Sequence, residues 1–116
     1  MASALIDPDT AQAAEAFMRH LRSRYDVSQA ILFGNQARHH HHHDSDADIA
    51  VIIRGAHGKR VAVALDMAGI AFKVLLDTGV LVEALPLWED EFEHPEHFSN
   101  PALIESIRRD GIRLWA

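Results

Sequence analysis

Two apolar runs separated by a polar segment constrain this 116-residue chain more than any other feature. The first run, 30–33, ends at Gly34, and the second, 49–53, follows Asp46 and Asp48. Both runs are typical of buried strands, and two acids one residue apart on a strand point to the same side. Such crowded negative charge indicates a divalent-cation site, and a glycine turn beside it lets backbone N–H groups approach a phosphate. The pattern therefore predicts chemistry on a nucleoside triphosphate.

The composition is that of a folded domain with an acidic balance. Nearly half of the residues are hydrophobic (48%), so we expect one domain over 1–116 with its own core. The chain has no cysteine, which excludes disulfides and favours the cytoplasm. A net charge of −6 argues against nucleic acid as a direct ligand. We also expect no membrane association, because no apolar run is long enough to span a bilayer and no signal pattern begins the chain.

Helix and strand signals alternate along the chain. We expect helices after Asp7, over 60–76 and from Pro101 to Gly111, and strands over 27–33, 49–53 and 80–85, the last ended by Pro86. The segment 88–98 is predicted to be irregular with a short helix, and 112–115 to form a buried tail. This order predicts the α+β class, with a small mixed β-sheet and helices packed on it.

The spacing of the polar motif resembles that of a known superfamily. Gly34 and Asn35 are followed by ten residues and then by Asp46-Ala47-Asp48. With one substitution, this resembles the Gly-Ser, ten residues, Asp-x-Asp signature of the DNA polymerase beta-like nucleotidyltransferases. The short chain and its ending, FSNPALIESIRRDGIRL (98–114), are similar to those of the minimal nucleotidyltransferases within that superfamily. The resemblance implies a nucleotidyltransferase fold.

The resemblance implies a catalytic role for three acids. Asp46 and Asp48 would hold Mg²⁺, and Glu83, a charge within an otherwise apolar strand, would complete the metal site. Bound ions would lower the pKa of an attacking hydroxyl and stabilise the leaving pyrophosphate. For Glu83 the alternative remains an edge-strand charge that reaches water.

The same resemblance implies a triphosphate-binding set. Gly34 and Asn35 would hold the β- and γ-phosphates of ATP, and Arg38 would add a cation, unless it forms a surface ion pair instead. Two positions depart from the family pattern: Asn35 replaces the signature serine, and His39 stands where relatives carry glycine. We expect both departures to weaken triphosphate binding and turnover.

Five consecutive histidines occupy the middle of the motif loop: His39, His40, His41, His42 and His43. One interpretation is a tolerant exposed loop that was engineered as an internal affinity tag. A second is adventitious capture of Ni²⁺, Zn²⁺ or Cu²⁺, which neutral imidazoles suit. A third is a biological metal or pH switch.

These patterns predict an enzyme that moves AMP from ATP to a hydroxyl group with Mg²⁺. A domain this small has little wall left for a second substrate, so we expect a protein acceptor. The resemblance implies a HEPN-type toxin as partner and an antitoxin role. The alternative is a catalytically impaired or engineered binding module that acts by occluding its partner. The oligomeric state stays open.

Overall fold

The computed structural model describes residues 6–34, 47–55 and 57–115, and for Trp115 its backbone alone. The predictions for Asn35, Arg38, the histidines 39–43 and Asp46 lie outside these residues. The elements are α1 (Pro8–Leu21), β1 (Val27–Phe33), β2 (Ala47–Ile53), α2 (Arg60–Thr78), β3 (Val82–Trp88), α3 (Glu89–Glu93), a 3₁₀ turn (Pro95–His97), α4 (Pro101–Asp110) and β4 (Ile112–Trp115).

The four strands form one mixed sheet in the order β3-β2-β1-β4. β1 pairs antiparallel with both β2 and β4, whereas β2 and β3 are parallel and are joined through α2. A parallel pair needs a crossover of this kind, because its strands start at the same edge of the sheet. The predicted α+β class and the small mixed sheet are confirmed, and the predicted tail proves to be the edge strand β4.

The sheet is covered on both faces. Ile49 and Val51 of β2 belong to a core built with α1 and α2, while Ala50 and Ile52 belong to a second core built with α3 and α4. All four side chains are fully buried. The run 49–53 of β2 is apolar at every position, so it must be covered on both sides, as the sequence predicts. Among the described residues, no helix is both long and apolar enough to cross a bilayer.

The helix ends follow their predicted caps with one difference. The Asp7 carboxylate accepts hydrogen bonds from two backbone N–H groups at the start of α1, and the Asn100 side chain accepts one from Leu103. Gly111 ends α4, as predicted, but its φ of −70° is open to any residue. Glycine is needed there for packing, since a Cβ at Gly111 would overlap Ile31 and the Ile107 carbonyl.

The prediction that Pro86 ends the third strand is wrong. β3 begins two residues later than predicted and continues through Pro86 to Trp88, with Pro86 in register with Val51. β3 is an edge strand, and an edge strand has backbone groups with no partner strand, so a missing N–H is tolerated there. The Pro86 carbonyl accepts a hydrogen bond from Arg60 at 2.8 Å.

A buried carboxylate ties α2 to the end of β3. Glu91, in α3, is 2% exposed, pairs with both terminal nitrogens of Arg60, and accepts a hydrogen bond from the Trp88 N–H at 3.2 Å. Burial alone would raise the pKa of Glu91, but the hydrogen bonds from Arg60 and Trp88 hold it below its ordinary value. The Arg60 guanidinium also lies over the Trp88 ring, 5.2 Å from its centroid. This pair was not predicted from the sequence.

Candidate functional site

Two of the three predicted acids lie side by side on neighbouring strands. Asp48 of β2 is in register with Glu83 of the parallel strand β3, and with Phe33 of β1 on its other side. Residues in register on adjacent strands point to the same face, with backbones about 4.8 Å apart. The sheet therefore brings the carboxylates of Asp48 and Glu83 together.

This pair lies on the α3/α4 face of the sheet. Side chains two residues apart on a strand share a face, and Ala50 packs in the core formed with α3 and α4. Asp48 is half-buried and Glu83 is exposed, so solvent and ligands reach this part of the face. Glu83 lies on an edge strand, which agrees with its interpretation as a charge that reaches water. It also lies beside Asp48, which agrees with its interpretation as a metal ligand.

Gly34 fits closely against the acid pair. It follows β1 directly, has a φ of +78°, and an added Cβ would lie 2.8 Å from the Oδ2 atom of Asp48. The left-handed backbone favours glycine here, and an added Cβ would displace the Asp48 carboxylate from its observed position. The predicted proximity of the glycine turn and Asp48 is confirmed.

The donor set suits a hard divalent cation. Carboxylate oxygens on two adjacent strands are the ligands that Mg²⁺ takes, and it completes its shell with water and phosphate oxygens. The described residues contain no group of three or more acidic or histidine side chains able to hold a metal. Asp46, the remaining predicted ligand, is outside the described residues, as are Asn35 and Arg38.

The comparisons with known proteins agree with this geometry. Residues 15–114 match the model of the nucleotidyltransferase domain. The chain belongs to the nucleotidyltransferase-domain family. Its fold resembles the crystal structure of a "putative nucleotidyltransferase" from Sulfolobus solfataricus, with a TM-score of 0.60 and 18% identity over 91% of this chain and 79% of that one. No curated protein matches the sequence significantly.

The nucleotidyltransferase domain has an open cavity on the same face as the acid pair. Its volume is about 440 Å³, and it is lined by Ile31, Phe92, Ile107, Arg108, Gly111 and Arg113. Ile31 of the cavity is in register with Arg113 and lies two residues before Phe33 on β1. Phe33 is in register with Asp48, which is in register with Glu83. The cavity therefore lies about 7 Å along β1 from the acid pair. Neither arginine was predicted from the sequence as a site residue. An arginine between the apolar residues 112 and 114 was the signal for a charge on this face.

Two histidines and two aromatic residues outside the motif make contacts within the fold. His57 contacts Glu91 at 3.3 Å, and His97 pairs with Asp90 at 2.8 Å, a hydrogen bond that raises the pKa of His97. Trp88 and Phe92 are buried in the two cores.

Proposed function

We propose that this chain is a Mg²⁺-dependent nucleotidyltransferase that moves AMP from ATP to a hydroxyl group on a protein partner. The observation that carries the proposal is the register of Asp48 with Glu83, beside a glycine whose missing Cβ leaves room at the Asp48 carboxylate. Membership of the nucleotidyltransferase-domain family supports nucleotidyl transfer in general.

Each site residue has a defined task in this proposal. Asp46, Asp48 and Glu83 would hold the metal, which lowers the pKa of an attacking hydroxyl and offsets the charge that develops on the leaving pyrophosphate. Gly34 keeps the space beside Asp48 open, so that a phosphate can approach the backbone. Asn35 and Arg38 would add a neutral and a charged donor to the β- and γ-phosphates.

A protein acceptor fits the shape of this face. The exposed Glu83 and the half-buried Asp48 are reachable from solvent, and the adjoining cavity offers the guanidinium groups of Arg108 and Arg113 to a partner's acidic groups. In a small domain with a site on one sheet face, the acceptor itself must cover the open side of the site. The resemblance to minimal nucleotidyltransferases supports a HEPN-type toxin as that partner, and an antitoxin role in the cytoplasm.

Transfer is tested with ATP labelled on its α-phosphate, Mg²⁺ and the protein encoded by the neighbouring gene. We expect label on the partner with the wild-type chain, and loss of label with Asp48→Asn and with Glu83→Gln. Glu15→Gln is the matched control, because it removes an exposed carboxylate from α1, on the opposite face of the sheet. A partner that is inhibited but never labelled would contradict transfer and leave occlusion as the mode of action.

A further inference from the structure

The outer face of α2 carries a long apolar stripe. Val61 is 73% exposed, Leu65 69%, Phe72 57% and Leu76 70%. At 100° per residue these positions fall on one side of the helix, with Ala68 and Gly69 between them. The opposite side of α2 is buried in the core, so the helix is apolar on two opposite sides. A contiguous exposed apolar stripe of this kind marks a surface that another surface covers.

The stripe is symmetric about its centre. Leu65 lies three residues before Ala68, and Phe72 lies three residues after Gly69. Val61 and Leu76 lie seven residues before and after the same two residues. Large side chains therefore flank a centre of small residues at equal distances in both directions. An antiparallel copy of the helix would present each large side chain to a matching one and would cross at the small residues.

We propose that α2 forms a homodimer with α2 of a second copy of this chain, antiparallel and related by a twofold axis beside the Ala68–Gly69 bond. Leu65 then packs on the partner's Phe72, and Val61 packs on the partner's Leu76. A twofold interface must be self-complementary in this way, since the same patch is used on both subunits. The small residues at the centre allow the two helices to approach within about 8 Å.

The charges beside the stripe are complementary in this arrangement. Asp66 and Lys73 lie along the same edge of the stripe, on either side of its centre. Antiparallel pairing brings the same edges of both helices together and places Lys73 about 3 Å along the helix axis from the partner's Asp66. Within its own chain, Asp66 accepts hydrogen bonds from Arg24 and Tyr25, so its carboxylate is held in place at this edge.

The size of the stripe fits the centre of an interface. It extends about 22 Å along the helix. Single exposed apolar side chains are common on protein surfaces, but a continuous stripe of this length is not. A stable interface buries about 800 Å² per partner, so the stripe forms the apolar core and the Asp66–Lys73 edge forms part of the rim. Because α2 packs on the face opposite to Asp48 and Glu83, the dimer leaves both acid pairs open to solvent.

Cysteine cross-linking tests this register, because the natural chain has no cysteine. A disulfide requires Cα atoms within about 6 Å, so we expect Ala68→Cys to link to itself across the axis under oxidation. Leu65→Cys alone should not, since its two copies lie about 10 Å apart along the helix axis. A mixture of Leu65→Cys and Phe72→Cys should give a disulfide-linked dimer of the two variants. Ala102→Cys, which is exposed on α4, is the control and should not form a cross-link.

Light scattering tests whether the dimer exists in solution. We expect the wild-type chain to be a dimer at micromolar concentrations. Phe72→Glu should be a monomer, and the control Ala102→Glu should remain a dimer. Both variants should keep the circular dichroism of the wild-type chain. A monomeric wild-type chain would overturn the proposal and indicate a different protein as the occupant. Self-linking of Leu65→Cys as fast as that of Ala68→Cys would also overturn it, because it would show a parallel or unspecific contact.

Discussion

Replacing Gly34 by alanine should separate the stability of the fold from the integrity of the site. The backbone at Gly34 has a φ of +78°, which costs an L-residue about 1 to 2 kcal/mol. The added Cβ also lies 2.8 Å from the Oδ2 atom of Asp48. That atom is the end of a side chain, so it can rotate away at little further cost in stability. The rotation, however, moves away the carboxylate that we propose to bind the metal.

The chain offers a matched control for this change at Gly79. Gly79 ends α2 with a φ of +79°, and an added Cβ there meets nothing within 4 Å. Thermal unfolding followed by circular dichroism should show that Gly34→Ala and Gly79→Ala each lower the melting temperature by about 4 to 8 °C. Calorimetric titration should show that Gly34→Ala alone weakens binding of ATP with Mg²⁺, by at least about tenfold.

Two outcomes would refute this reasoning. The first is wild-type binding of ATP with Mg²⁺ by Gly34→Ala, since the carboxylate of Asp48 would then not need its observed position. The second is an equal loss of binding in Gly79→Ala, since the backbone strain alone would then explain the effect.

Three further predictions concern stability, catalysis and metal capture. Arg60→Met leaves the buried Glu91 without its guanidinium and should cost about 3 kcal/mol of unfolding free energy in denaturant titrations. The pKa of Glu91 is lower in the folded protein than in the unfolded chain, where it is about 4.3. The stability that the Arg60–Glu91 pair contributes is therefore present above about pH 4.3 and is lost as the pH falls through the folded pKa. Arg60→Met should reduce this loss of unfolding free energy at acid pH. Asn35→Ser should raise the rate of AMP transfer in the labelling assay, and an unchanged or lower rate would contradict the interpretation of Asn35 as a weakened phosphate ligand. Replacing 39–43 by serines should abolish Ni²⁺ binding in calorimetry, and retained binding would show that other residues hold that metal.

The sequence predicted the strands at the centre of the sheet better than those at its edges. The observed bounds of β1, Val27–Phe33, agree with the prediction, and its apolar part, 30–32, is buried. β2 begins only two residues before the predicted start at 49. The predicted end of β3 is wrong because Pro86 is not a strand end. Proline excludes only a central position, and whether a strand is central depends on the sheet order, which local sequence does not contain.

The site was predictable in part for the same reason. The proximity of Gly34 to Asp48 follows from β1 and β2 being antiparallel neighbours, which the motif and its flanking apolar runs indicate. The position of Glu83 beside Asp48 depends on the parallel pairing of β2 and β3, and the sequence left two interpretations open there. The charge of Arg113 had a local signal, but the cavity itself joins Ile31 to residues 92–113, and no short-range pattern predicts that contact. The same holds for the Arg60–Glu91 pair, whose residues lie 31 positions apart.

The central claim is that Asp48, Glu83 and the turn at Gly34 form one metal and triphosphate site, and paramagnetic broadening by Mn²⁺ tests it most directly. Mn²⁺ takes the oxygen ligands that suit Mg²⁺, and serines at 39–43 remove the competing imidazoles. With Mn²⁺ and ATP added, the amide NMR signals of these three residues should broaden first, while that of Phe72, on the opposite side of the sheet, stays sharp. Sharp signals at Asp48 and Glu83 under saturating Mn²⁺ and ATP would contradict the account.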